Sequence, residues 1–175
     1  MYPVLLSGER AASSARWSSM ADLVGTSEWV RPKAWKLDWE LRKDGEVLAT
    51  MSSPKTFGTS VTAVMDGTTY TMRKGGLRRP GAVMRRVGEE GDLAVLELDS
   101  LGHGIIAMGD ARYLWDREGA AERWALSQEG RGIIFSLERD SRTKYPTGKV
   151  AVDIADPNLG PLLLLTWFLA STSEC

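Results

Sequence analysis

Only one stretch of this chain is lopsided enough in charge to suggest binding chemistry. From Arg73 to Arg86 the sequence reads Arg-Lys-Gly-Gly-Leu-Arg-Arg-Pro-Gly-Ala-Val-Met-Arg-Arg, with six basic residues and no acidic one. Guanidinium forks match phosphate oxygens two at a time, and glycines leave backbone N–H groups accessible to the same anion. Arg73, Lys74, Arg78, Arg79, Arg85 and Arg86 are therefore the candidate residues for holding a phosphate-bearing ligand such as a phospholipid headgroup. The competing reading is a solvated hairpin whose arginines pair with Glu89, Glu90, Asp92, Glu97 and Asp99 close behind them, in exposed ion pairs that contribute little.

Catalysis has little to work with. His103 is the sole histidine, and the glycines around it in Leu101-Gly102-His103-Gly104 mark a turn, where histidine tolerates unusual backbone angles. Gly130-Arg131-Gly132 and Gly75-Gly76 lack the strand, loop and helix context of a phosphate-binding loop. No Ser-His-Asp set or nucleophile elbow is present. The only cysteine, Cys175, is the final residue, which excludes an intrachain disulfide and a cysteine zinc site and does not fit the prenylation signal. No enzyme activity, metal or cofactor is expected. With 22 basic and 23 acidic residues and a net charge of −1, no global field favours nucleic acid, so a charged partner must be met locally. The seven tryptophans could stack on bases or sugars, but the placement of Trp35, Trp39 and Trp167 in apolar patterns points to core packing.

These residues need elements to hold them. Over 34–43, Trp35, Leu37, Trp39 and Leu41 alternate with Lys36, Asp38, Glu40 and Arg42, which is a half-buried strand. Asp44-Gly45 supplies a two-residue hairpin turn, and Val47, Ala49 and Met51 return on the apolar face. Phe57, Val61, Ala63 and Met65, the turn Asp66-Gly67, then Tyr70 and Met72 repeat the pattern. Further short strands are expected over 82–87, 93–99, 104–108, 111–115, 122–127, 132–139 and 149–154. Turn signals at this spacing, with no helix of crossover length between them, predict an antiparallel sandwich or barrel.

The segment 159–170 breaks the rule, being uncharged and apolar in every direction. Asp156 and Asn158 can cap a helix over about 158–171, with Pro157 and Pro161 in its first turn. A helix apolar all round must be surrounded. The uncharged run 159–173 would reach roughly 22 Å as a helix, short of a hydrocarbon core of roughly 30 Å. The surroundings are therefore expected to be the protein's own strands, with no transmembrane span.

The start Met1-Tyr2-Pro3-Val4-Leu5-Leu6 lacks a charged export signal, and Met20 is a second candidate start. Residues 1–28 are expected to form a mobile arm and 29–175 a single domain, in a reducing, cytoplasmic setting.

The strand-turn-strand Trp39-Glu40-Leu41-Arg42-Lys43-Asp44-Gly45-Glu46-Val47-Leu48-Ala49, and the strand 150–154 leading into 159–170, resemble the tubby-like barrel superfamily, which includes tubby proteins, phospholipid scramblases and LURP-one-related proteins. The resemblance covers residues 29–172 as an order of elements. It implies a mainly β fold, a closed antiparallel β-barrel of about twelve short strands around a C-terminal apolar helix. Scramblase-like members carry a cysteine cluster for acylation, which this chain lacks, and the headgroup-binding basic residues of tubby proteins have no residue-by-residue counterpart here. The resulting expectation is a non-catalytic binding module that docks on anionic phospholipid headgroups through the basic hairpin. The alternatives are a carrier of a small apolar ligand in a barrel cavity and a protein–protein interaction scaffold.

Overall fold

The computed structural model describes residues 20–33, 38–53, 60–75, 81–119, 121–142 and 146–172. A 3-10 turn at Met20–Leu23 leads into β1 (Gly25–Val30), β2 (Asp38–Lys43), β3 (Glu46–Ser52), β4 (Ser60–Met65), β5 (Thr68–Lys74) and β6 (Gly81–Arg86). There follow β7 (Ala94–Leu98), β8 (Gly104–Met108), β9 (Ala111–Arg117), β10 (Arg123–Gln128), β11 (Gly132–Asp140), β12 (Thr147–Val152) and the helix α1 (Leu159–Thr172). Each strand pairs antiparallel with its neighbours in sequence, and β12 returns to β1, with Gly25 opposite Val152 and Trp29 opposite Gly148. The sheet is thus a closed barrel without edges.

Both expected hairpin turns are present, with Asp44 and Gly45 at φ of 51° and 82° and Asp66 and Gly67 at 50° and 73°. These paired positive values suit the right-handed twist of the flanking strands. The apolar face of the first hairpin differs in one respect. A bulge at Leu41/Arg42 places Val47 opposite Arg42 and Ala49 opposite Leu41. The extra residue turns Leu48 inward beside Ala49 and leaves Val47 exposed, because a bulge reverses the two-residue alternation. The amino-terminal boundary also differs. Residues 20–28, assigned to the arm, instead form the 3-10 turn, with Leu23 in the core, and most of β1. Residues 1–19 and 34–37, including Trp35 and Leu37, lie outside the described residues.

Along the strands, inward positions are apolar and outward positions polar, the reverse of a barrel whose outer wall faces lipid. One outward row alternates in sign. Glu28 stands between Arg42 and Lys149, and Glu138 between Lys149 and Arg123. Opposite charges across strands favour this register over a slipped one, and the row crosses the β1–β12 seam that closes the barrel.

The lumen is filled by α1, whose residues from Leu162 to Ala170 are all buried. Strands on every side touch it. The Trp167 ring stacks on Trp29 of β1 at 5.7 Å and meets Trp39 of β2 edge-on at 6.1 Å. Gly160 lies against Met65 of β4, and the Ala170 carbonyl accepts from Arg139 of β11. Gly148 of β12 is the tightest point, since a Cβ there would lie 2.5 Å from Cζ3 of Trp167. The indole is stacked and cannot give way, so Gly148→Ala is expected to destabilise the fold by about 1–3 kcal/mol. Chemical denaturation checks this, and an unchanged midpoint would contradict it.

Candidate functional site

The topology sorts the connections onto two ends. The amino terminus of α1 shares one end with the connections 44–45, 66–67, 87–93, 109–110, 129–131 and 153–158. All of these are described, and they hold nine acidic residues and one basic residue, Arg131. The carboxyl terminus of α1 lies at the other end, with 31–37, 53–59, 75–80, 99–103, 118–122 and 141–146. Four of these, 31–37, 53–59, 75–80 and 141–146, contain eight Lys and Arg and no Asp or Glu. The remaining two contribute Asp99, Glu118 and Glu122. The barrel therefore has an acidic end and a basic end.

This division separates the six candidate basic residues. Arg73 and Lys74 close β5 at the basic end, both exposed, with Lys74 Nζ donating to the carbonyl of Thr172 at 3.2 Å. Arg85 and Arg86 close β6 near the acidic end and meet its carboxylates. Arg85 donates to Asp92 at 2.7 Å, and Arg86 to Glu89 at 3.0 Å while lying 6.0 Å over the Tyr70 ring. The hydrogen bond from Glu89 raises the pKa of Arg86 further. Arg78 and Arg79 lie outside the described residues. Arg73 and Arg85 still line one shallow depression on the outer wall, of about 160 Å³, with Ser60 and Thr71.

Arg31, Lys33 and Arg142 join Arg73 and Lys74 at the basic end. Arg142 holds the Asp140 carboxyl down at about 2, through side-chain and backbone hydrogen bonds, and so keeps it ionised. These three residues are far apart in sequence, and only the alternation of an up-and-down barrel brings their loops together. Summing charge over alternate connections would have found them.

A cleft of about 690 Å³ opens beside β1, β11 and β12 at the same end. Its deepest charged group is Arg139, whose side chain is 1% exposed. The guanidinium donates to Glu122 at 2.8 and 3.1 Å and to the Ala170 carbonyl, and lies 5.1 Å over Trp124. Ser141 donates to the same Glu122 oxygen at 2.8 Å. The arginine thus caps the carboxyl end of α1, where a cation suits the helix dipole.

The remaining sequence candidates fall in ordinary roles. The His103 backbone N–H donates to Asp99, and its Nδ1 is 2.8 Å from Asp116 on an exposed surface. Trp29, Trp39, Trp115, Trp124 and Trp167 are buried. Among the described residues no group of three or more His, Cys, Asp or Glu is placed to hold a metal ion, and no helix is long and apolar enough to cross a membrane. No known protein family, curated protein or solved structure matches the chain.

Proposed function

We propose that the protein is a non-catalytic binding module whose basic end docks on an anionic phospholipid surface. The observation that carries this reading is the separation of charge between the two ends of the barrel. A basic residue close to an anionic bilayer contributes about 1 kcal/mol, and the acidic end is repelled, so approach through the basic end is favoured. The tubby-like resemblance supports the same reading. A carrier would need an open lumen, and here α1 fills it.

Co-sedimentation with phosphatidylcholine vesicles, with and without phosphatidylserine, tests the proposal at low salt. Reversing Arg31, Lys33, Arg73 and Lys74 to Glu is expected to weaken binding to the anionic vesicles more than tenfold. Arg85→Glu with Arg86→Glu is expected to leave most of it, because those arginines already face Asp92 and Glu89. Binding should also fall as salt shortens the screening length. Absence of binding in the parent, or a loss confined to the Arg85/Arg86 variant, would sink the idea.

A further inference from the structure

We infer that the outer wall formed by β8 to β11 is the interface of a two-fold dimer of this chain. Ile105, Leu114 and Ile133 are 46%, 43% and 47% exposed, although large apolar side chains are otherwise turned inward along these strands. The register aligns them. Ile105 is opposite Leu114, Leu114 opposite Ser127, and Ser127 opposite Ile133, which makes one row across four strands with a small hydroxyl in the middle. Three exposed aliphatic side chains in one row form a patch, whereas Val47, Val64 and Val87 stand on other parts of the surface.

The charges beside the row identify the occupant. The outward residues of β9 are Arg112, Leu114 and Asp116 in succession, a cation and an anion placed symmetrically about the apolar centre. A two-fold axis lying in the interface and running across the strands sets Leu114 against Leu114 of the second copy. The same axis sets Arg112 against the second copy's Asp116 and Asp116 against its Arg112. The patch is therefore complementary to itself, as an isologous contact requires. Asp116 already takes His103 on Oδ1, which leaves Oδ2 for the second copy.

Sedimentation velocity of the intact chain over the micromolar range tests this, with melting temperature as the check on folding. The parent is expected to form dimers. Leu114→Arg, Arg112→Asp and Asp116→Arg should each weaken the dimer at least tenfold, and the double exchange Arg112→Asp with Asp116→Arg should restore it while each variant melts like the parent. A general loss of structure could not produce that restoration. A parent that stays monomeric, a dimer indifferent to Leu114→Arg, or a double exchange that fails to recover overturns the proposal. So does a monomeric parent whose vesicle binding is lost in Leu114→Arg, since the wall would then face lipid. The four-residue reversal at the basic end leaves this wall untouched, so the dimer and the docking reading fail independently.

Discussion

A chain ending at Asp156 is expected to lose cooperative melting and the strand signal in far-ultraviolet circular dichroism. The helix it lacks contributes six leucines, Trp167 and Phe168, all buried among side chains that point inward from the twelve strands. Burying eight such side chains is worth about 12–24 kcal/mol, an upper bound. A domain is typically stable by only about 5–15 kcal/mol, so the barrel without its helix has no margin. The inward residues Trp29, Met51, Met72, Met84 and Ile106 would face an empty lumen too wide for the strands to collapse across without re-registering. Leu164→Asp in the full chain is a second route to the same end, because it buries a carboxylate at a position with 0% exposure. A cooperative transition and undiminished strand content in the shortened chain would show that the helix is an accessory rather than the core.

The same helix shows what can be read from a sequence. Its all-round apolarity dictates enclosure whatever encloses it, and Asp-Gly at 44–45 and 66–67 dictates tight hairpins, because both are local constraints. The bulge that turns Leu48 inward and Val47 outward depends on the partner strand, which local alternation does not reveal. β1 was hidden for a related reason. Its sequence Gly-Thr-Ser-Glu-Trp-Val carries only Trp29 as a large inward side chain, and it is held as a strand by pairing with β2 and β12. The candidate site divided in the same way. Six basic residues adjacent in sequence looked like one patch, yet a strand running the length of the barrel carries Arg85 and Arg86 away from Arg73 and Lys74.

At the acidic end, Asp156→Ala is expected to cost about 3 kcal/mol, the largest loss from a single polar substitution in this fold. The carboxylate is 2% exposed and holds three partners. Its Oδ1 accepts from the Tyr113 hydroxyl at 2.9 Å and the Asn158 N–H at 2.8 Å, and its Oδ2 from Arg131 at 2.5 Å. Its own carbonyl accepts the Leu159 N–H at 3.1 Å, so one residue caps α1 and ties it to β9 and to the β10–β11 turn. Removing it leaves the phenol and the amide of Asn158 with an acceptor lost. The Arg131 side chain is 37% exposed and can turn to water, which keeps the cost at the lower end for a buried pair. Asp156→Asn, which retains a cap but not the charge, should fall between the two.

Alkaline melting adds a second readout at this cap. Burial raises the Tyr113 pKa above its ordinary 10, and the hydrogen bond to Asp156 adds to that against the opposing donation from Asn158. The unfolded chain therefore releases this proton first, so the contribution of Tyr113 is complete below about pH 10 and declines above it. Tyr113→Phe is expected to flatten the fall in melting temperature above that pH. An alkaline limb as steep as the parent's would place the titrating group elsewhere.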